Sequence, residues 1–245
     1  MPDPMKLSVI VPAFNEEAYL ASTLDSIRRA AADLVGRADA DIETIVVDNG
    51  SSDETATVAH DGGARVVHEP LQGISRARNA GARHALGDVL VFVDADVTLP
   101  QTLLSEIHAA MSDPNCVGGG VDVEHRPNRL SVRLYLLGWR LLGRLMTMVQ
   151  GATQFSRRCA FEQLGGYDET AWIGEDVDFY WRLRRLARAR GRRVQLIRNV
   201  RVRPSTRRFD NWPLWRILLW TNPVFIALLR RTRSVWGGWY SQPVR

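Results

Sequence analysis

The chain has 245 residues, of which 45% are hydrophobic and 24% are charged, so it can form one sizeable globular domain or a domain with a tail. Residues 1–125 carry 8 basic and 20 acidic side chains, whereas residues 126–245 carry 24 basic and 7 acidic ones. The basic second half suits an anionic partner. Cys116 and Cys159 exclude a disulfide scaffold and indicate either a reducing, cytoplasmic compartment or simple structural thiols. The first residues lack the pattern of a signal peptide, and no run of 18 apolar residues predicts a transmembrane helix.

The first two predicted strands both end in polar turns. Residues 6–12 form an apolar run that we expect to end as a strand at Pro12, and Asn15 is then the predicted N-cap of a helix. Residues 42–47 form a second buried strand, followed by a polar, glycine-containing turn that begins at Asp48. A turn of this kind between a buried strand and a helix is typical of ligand binding in α/β sheets.

A third strand over residues 64–68, a helix over 73–86 and a fourth strand over 89–93 complete a β-α-β-α-β-α-β order. This order predicts a doubly wound, mostly parallel sheet. Asp94 and Asp96 follow the fourth strand, at the edge where open α/β sheets bind ligands. Two carboxylates there can hold a divalent cation that bridges to a phosphorylated ligand, or they can be a pair of solvated loop acids, and the pattern alone leaves both readings open.

Together these motifs resemble the family 2 glycosyltransferases, in which the fold is GT-A: a Rossmann-like, mostly parallel sheet flanked by helices. The resemblance covers about residues 6–210. We therefore expect a GT-A domain over residues 1–210 and a Trp- and Arg-rich, amphipathic helical extension over 211–245. The order and spacing that carry the resemblance are those of the motifs at residues 10–17, 46–55, 77–79, 94–96, 161–169 and 174–179.

The resemblance implies inverting transfer of a sugar from a nucleotide-sugar, with a UDP- or GDP-sugar as the expected donor. Carboxylates near the base and ribose accept hydrogen bonds from their N–H and O–H groups. By this resemblance the donor nucleotide site contains Pro12, Ala13, Glu16, Asp48, Arg78 and Asp94.

The resemblance also implies a metal. Asp96 and Asp94 would hold Mg²⁺ or Mn²⁺, which would stabilise the leaving nucleoside diphosphate. The chain departs from the family pattern in two places: Asn49 stands where a second acid is usual, and no histidine follows His125 to serve as a late metal ligand. The donor's pyrophosphate and water would then complete the coordination.

An inverting displacement needs a carboxylate to accept the proton of the acceptor hydroxyl. Asp176 is the predicted base and Glu175 the second choice, by their place in the family motif. Arg207 or Arg208 lies where the family has a basic loop that closes on the diphosphate. The processive Q-x-x-R-W signature is absent, which favours transfer of a single sugar.

Two segments suggest contact with a membrane. Residues 130–149 form an apolar helical pattern with one arginine stripe, and residues 212–245 hold five of the eight tryptophans. Either segment suits the membrane interface and would bring a lipid-linked acceptor within reach. The alternatives are a core-facing helix whose arginine stripe is its solvated side, and a C-terminal hairpin that packs on the domain or mediates oligomerisation.

Three other functions fit the sequence less well. A nucleotidyltransferase would need a lysine-bearing phosphate loop, but Lys6 is the only lysine and precedes the first strand. An inactive peripheral membrane protein would not need Asp94, Asp96 and Asp176 together. Nucleic-acid binding is not predicted, because the arginines do not form a recognised module.

Overall fold

A computed structural model describes residues 4–145, 151–232 and 234–236. The strands are β1 Met5–Ala13, β2 Ala40–Asp48, β3 Arg65–His68, β4 Val89–Val93, β5 Val97–Thr98, β6 Cys116–Val123, β7 Thr153–Arg157 and β8 Arg193–Pro204. The helices are α1 Glu17–Val35, α2 Thr55–Asp61, α3 Ile74–His84, α4 Leu103–Ser112, α5 Leu130–Leu145, α6 Arg158–Gln163, α7 Glu175–Ala189, α8 Arg207–Asn211, α9 Leu214–Trp220 and α10 Pro223–Leu229.

The described strands form one sheet in the order β3-β2-β1-β4-β7-β6-β8-β5. The first four positions are parallel, which confirms the predicted β-α-β succession. The second half is mixed, because β7 runs antiparallel to both β4 and β6, whereas β6 and β8 are parallel. The sheet is therefore mixed. One half, β3-β2-β1-β4, is parallel, and the other half contains the antiparallel strand β7.

Both faces of the sheet are covered, which explains why its central strands are apolar at nearly every position. Val9 and Val91 face one core, which α1 and α4 complete. Ile10 and Phe92 face the opposite core, together with α3, α6 and α7. Successive residues of one strand thus enter opposite cores, as the two-residue period of a strand requires.

Two predicted boundaries at the first strand are wrong. β1 continues through Pro12 to Ala13, because its pairing with β2 extends to the contact of Ala13 with Asp48. Glu16, not Asn15, is the N-cap of α1. Asn15 instead adopts a left-handed conformation with φ 54°, and its Oδ1 accepts a hydrogen bond from the Ser52 N–H at 2.8 Å. Its side chain therefore joins the two loops that follow β1 and β2.

Helix α5 turns its apolar side outward. Its leucines at i, i+4, i+7 and i+11 share one face, and they are 53–69% exposed: Leu130, Leu134, Leu137 and Leu141. We call these four residues the leucine stripe. Arg129, Arg133 and Arg140 bind the Trp212 carbonyl, the Pro127 carbonyl and the Asp122 carboxylate. The alternative of a core-facing helix with a solvated arginine side is therefore wrong.

The start of the predicted C-terminal extension packs on α5. Val132, Trp212 and Ile217 form a small buried cluster between α5 and α9. Residues 146–149 of the predicted helix and residues 237–245 of the extension lie outside the described residues. Among the residues described, no helix is long and apolar enough to cross a membrane.

Candidate active site

The ends of β1 and β2 form the floor of the predicted nucleotide site. Pro12 and Ala13 are buried at the end of β1, and Ala13 lies in register beside Asp48. Asp48 is 6% exposed, and its Oδ1 accepts a hydrogen bond from the Ser51 N–H at 3.1 Å. Its Oδ2 lies 3.1 Å from Nδ1 of His68 at the end of β3. Asp48 is thus held at the sheet edge, where the resemblance placed the nucleotide pocket.

Asn49 has a structural task that explains why an amide replaces the usual acid. Its Nδ2 donates to the carbonyls of Glu69 and Leu71 at 2.8 and 2.9 Å, and its Oδ1 accepts from the Gly73 N–H at 2.7 Å. A carboxylate could not donate the first two hydrogen bonds. Asn49 therefore fixes the loop between β3 and α3, the helix that carries Arg78.

Glu16, Arg207 and Asp96 form one charged cluster across the site. Nη1 of Arg207 donates to Oε2 of Glu16 at 2.7 Å, and Nη2 donates to Oε1. The same Nη2 lies 3.5 Å from Oδ2 of Asp96, and the guanidinium stacks 4.5 Å from the ring centroid of Tyr19. The Ser205 N–H donates to the Asp96 carbonyl at 2.9 Å, which ties the loop before α8 to the aspartate pair.

The two aspartates after β4 differ in their partners. Burial raises the pKa of Asp96 to about 6, although the guanidinium of Arg207 opposes this shift. Arg208 also lowers the pKa of Asp96, which places its charge near the site. Asp94 instead points to α3, where its Oδ1 accepts a hydrogen bond from Nη2 of Arg78 at 2.7 Å. Asp94 thus has a hydrogen-bonded arginine of its own, whereas a cation near Asp96 would favour ionisation of a buried carboxylate.

Arg78 connects the aspartate pair with the start of α7. It is 2% exposed, and its Nη1 donates to Oε1 of Glu175 at 2.6 Å while its Nη2 holds Asp94. The Tyr167 ring lies 5.0 Å below the guanidinium. Burial opposes the charge, but Asp94 and Glu175 outweigh burial and raise the pKa of Arg78. The side chain is therefore a fixed cation behind the site, and its predicted contact with the nucleotide remains a prediction.

Asp176 and Glu175 are adjacent in sequence but face different surroundings. Glu175 is 6% exposed and committed to Arg78, whereas Asp176 lines a cavity. Burial, and next the neighbouring Glu175, raise the pKa of Asp176 to about 7. A carboxylate with a pKa near neutrality that faces a cavity has the properties of a general base. The geometry thus favours Asp176 over Glu175 for that role.

The backbone at residue 151 makes room for Asp176. A Cβ atom on Gly151 would lie 2.5 Å from both Cβ and Oδ2 of Asp176, closer than atoms can approach. Gly151 precedes β7, so the antiparallel strand brings a glycine to the side chain that it must accommodate. The sequence shows the glycine, but only the fold shows which residue needs the space.

A buried hydrogen-bond network that the sequence did not predict holds the backbone of Asp176. Nε2 of Gln154 donates to the Asp176 carbonyl at 3.0 Å, and the Tyr167 hydroxyl donates to Oε1 of Gln154 at 3.0 Å. Asn79 holds Tyr167 in turn, since its Oδ1 accepts from the Tyr167 N–H at 2.9 Å and its Nδ2 donates to the Tyr167 carbonyl at 3.0 Å. These polar residues are far apart in sequence, so no local pattern could reveal their connection.

The residues present fit a divalent cation that is completed by its substrate. In the part of the chain that the structure describes, no three His, Cys, Asp or Glu residues gather around one point. Two neighbouring carboxylates are nevertheless a donor set typical of Mg²⁺ in sites where substrate phosphates and water supply the other ligands. Arg207 lies 3.5 Å from Asp96, so a positive group already faces this carboxylate in the structure.

Residues 8–165 match the family Glycosyl transferase family 2. An undecaprenyl-phosphate 4-deoxy-4-formamido-L-arabinose transferase of Enterobacter sp. (strain 638) is 32% identical over 163 residues, which are 63% of this chain and 47% of that protein. A glucosyl-3-phosphoglycerate synthase of Mycobacterium tuberculosis is 37% identical over 107 residues, 40% of this chain and 31% of that protein. The chain thus spans about half, or less, of these two relatives.

The fold is similar to that of solved glycosyltransferase structures. A mannosyltransferase from Pyrobaculum calidifontis in complex with GDP-Man and Mn²⁺ superposes with a TM-score of 0.64 and 22% identity, over 82% of this chain and 56% of that one. The M. tuberculosis glucosyl-3-phosphoglycerate synthase with Mn²⁺ and UDP-glucose gives 0.60 and 24%, over 93% and 79%. With a matching family profile over most of its length and a GT-A fold, this chain belongs to glycosyl transferase family 2.

Proposed function

We propose that this protein transfers a single sugar from a nucleoside diphosphate sugar to an acceptor hydroxyl, with inversion at the anomeric carbon. The observation that carries the proposal is the connection made by Arg78. One buried guanidinium joins Asp94 of the aspartate pair to Glu175, the residue before the cavity-facing Asp176. Asp94 and Asp96, which could bind a cation, and Asp176, the candidate base, thus lie on either side of one site. In-line displacement requires such an arrangement.

The donor lies across the ends of β1, β2 and β4 in this proposal. Asp48 and Glu16 accept hydrogen bonds from the base and the ribose, next to the backbone of Pro12 and Ala13. Asp96, with Asp94, holds Mg²⁺ or Mn²⁺, and the metal when bound neutralises the charge of the departing diphosphate. Metal use is supported by the Mn²⁺ named in the P. calidifontis and M. tuberculosis complexes. UDP- and GDP-sugars are the donors that the same complexes favour.

Asp176 accepts the acceptor's proton in the chemical step. The acceptor oxygen forms a bond to the anomeric carbon while the bond from that carbon to the diphosphate oxygen breaks. Arg78 keeps Glu175 and Asp94 in place but remains behind the site, since both of its Nη groups are engaged. Arg207 lies between Glu16 and Asp96 and can transfer its hydrogen bonds to the diphosphate, with Arg208 as the second cation of that segment.

A lipid-linked acceptor at a membrane surface completes the proposal. The leucine stripe of α5 and Trp215 of α9, which is 65% exposed, present apolar surface on the half of the chain that carries the arginines. Apolar side chains that protrude from a basic surface suit the interface of anionic membranes. The lipid phosphate in the name of the Enterobacter relative supports the same class of acceptor.

A thermal-shift panel tests the donor site. Purified protein is melted with UDP-, GDP- and TDP-sugars, each with and without Mn²⁺. A matching donor at about 100 times its Kd should stabilise the fold by about 2.7 kcal/mol, which is a shift of several degrees at this size. Asp96→Ala should abolish the metal-dependent part of the shift. An unchanged metal-dependent shift in Asp96→Ala would contradict the metal assignment, and no shift with any donor would contradict the proposed activity.

A further inference from the structure

A cavity of about 1030 Å³ opens beside Asp176 of α7, and the buried Glu175 is not among the residues that line it. Strand β6, α5, α7 and β8 form its walls, with the α9–α10 segment at one end. This volume is large enough for a ligand of drug size or larger. Because the nucleotide site lies at the ends of β1 and β2, the cavity is a separate space in contact with the proposed base.

The α7 wall carries three polar groups in a row. Asp176, Tyr180 and Arg184 follow one another at i, i+4 and i+8, so they share one side of the helix over about 12 Å of its length. Burial raises the pKa of Tyr180, and the charges of Arg184 and Arg198 oppose that shift, which places both cations near the phenol. The row thus runs from a proton acceptor, through a neutral hydroxyl, to a positively charged end.

Apart from the proposed base Asp176, the acidic side chains that line the cavity are paired with arginines, whereas Arg198 is paired with no carboxylate of the described residues. Asp122 is paired with Arg140 and Arg201, and Asp178 with Arg182 and Arg230. Arg198 is exposed and forms no ion pair within the described residues. An anion placed beside Arg198 would therefore meet a cation that has no carboxylate of its own.

The opposite wall is largely apolar, although Arg133 and Arg140 of α5 also line it. Leu136, Leu137 and Trp139 of α5 line it, and Ile226 of α10 continues the same surface. His125 also lies in this wall, where burial and the charge of Arg140 lower its pKa to about 4, so the imidazole is neutral at physiological pH. A ligand made only of sugar and phosphate would leave this wall unmatched, whereas an alkyl chain would cover it.

We propose that this cavity binds an anionic amphiphilic acceptor whose reacting hydroxyl lies at Asp176, whose negative group lies at Arg184 and Arg198, and whose apolar chain lies along α5 and α10. The inference rests on the proposed glycosyl transfer and specifies its acceptor. The negative group is separate from the reacting oxygen, because a phosphate oxygen is already ionised at neutral pH and needs no base. A phosphate at the proposed reacting position would also be repelled by Asp176.

Binding of a surrogate amphiphile tests the inference without turnover. Lysophosphatidylglycerol with a twelve-carbon chain has hydroxyls, then a phosphate, then one chain, and it is titrated calorimetrically below its critical micelle concentration. We expect saturable binding to the wild type, at least tenfold weaker binding to Arg198→Glu, and similar weakening in Leu137→Glu, whose side chain is 53% exposed and lines the cavity. Leu130→Glu is the matched control, because this leucine is also exposed on α5, at 69%, but lies outside the cavity.

The same preparations separate failure of the inference from failure of the proposed function. Asp96→Ala should lose the donor-dependent thermal shift but keep its affinity for the amphiphile. If donors bind and lysophosphatidylglycerol does not, the inference is overturned while the proposed function stands. Equal binding of glycerol 3-phosphate would also overturn it, since that ligand has the hydroxyls and the phosphate without the chain. An equal loss of binding in Leu130→Glu would show that the amphiphile lies on the outer surface instead.

Discussion

Replacement of Asp176 by asparagine should stop turnover and stabilise the fold at the same time. Asp176, Glu175 and Asp94 bring three carboxylates around the single buried guanidinium of Arg78. Of these, only Asp94 and Glu175 hydrogen-bond to Arg78. Ionisation of Asp176 is therefore opposed by its burial and by the negative charge of its neighbours. Asparagine keeps the shape and removes the charge. Loss of a general base typically lowers kcat by about 10²- to 10⁴-fold.

The pKa of Asp176 sets the size of the stability gain. The pKa rises from 3.8 to about 7 in the folded state, and the whole shift corresponds to a destabilisation of the folded state by about 4 kcal/mol when the carboxylate is ionised. The carboxylate faces the cavity, where water screens part of this, so we expect about 1–2 kcal/mol. Below pH 3.8 both states hold the proton and the penalty vanishes; it grows as pH rises and is complete above pH 7. The gain of Asp176→Asn should therefore be larger at pH 8 than at pH 4.

The assay pairs turnover with melting temperature. A gain of about 1–2 kcal/mol corresponds to roughly 2–8 °C for a chain of this size. Asp178→Asn is the matched control in the same helical turn, since its Oδ2 accepts from Nε of Arg182 at 2.8 Å. This control should keep kcat and lose about 0.3–0.5 kcal/mol. An Asp176→Asn variant that melts lower than the wild type at pH 8, or that turns over normally, would refute the reasoning.

Four further predictions follow from the same geometry. The kcat of the wild type should rise as pH increases through about 7, because the base must be ionised, and a flat profile from pH 5 to 9 would count against Asp176. Gly151→Ala should lower kcat by about 10²-fold with unchanged donor affinity, whereas Gly138→Ala, which meets no atom within 4 Å, should leave both unchanged. Arg207→Ala should weaken donor binding in calorimetry, and equal affinity and turnover would remove its proposed role at the diphosphate. Leu134→Glu should reduce sedimentation with phosphatidylglycerol vesicles about tenfold, in line with loss of one large apolar contact, and equal sedimentation would show that the leucine stripe does not meet the lipid.

The first hundred residues could be predicted well because burial on both faces of a parallel sheet has a clear signature. β1, β2 and β4 contain continuous apolar runs, and a polar residue lies at or just after the end of each strand: Asn15, Asp48 and Asp94. The antiparallel insertion of β7 has no such signature, since its sequence Thr-Gln-Phe-Ser-Arg mixes polar and apolar residues. Gln154 of this strand is buried because it binds Tyr167 and Asp176, which lie on other segments of the chain.

The orientation of α5 illustrates a second limit. Helical periodicity separates a leucine side from an arginine side, but it does not state which side meets the protein. Arg140 turns inward because Asp122 of β6 offers a carboxylate, and Arg129 because the Trp212 carbonyl lies in reach. These partners are 18 and 83 residues away in the chain. Only the tertiary fold could show that the leucines remain outside.

Arg78 and Arg207 differ in the carboxylates that they bind, and this difference suggests different roles. Arg78 is enclosed, and its two Nη groups hold carboxylates that the fold itself supplies, so its contacts persist when ligand binds. Arg207 instead lies on the segment around α8 and spans Glu16 and Asp96, the side chains proposed to bind ribose and metal. A bound donor and its metal would compete with Arg207 for both of these carboxylates. Arg207 would then leave them and bind the diphosphate instead. In the proposed site the aspartate pair would therefore be balanced by one permanent cation and by one that the substrate replaces, which would explain how two carboxylates of the described residues could hold a metal.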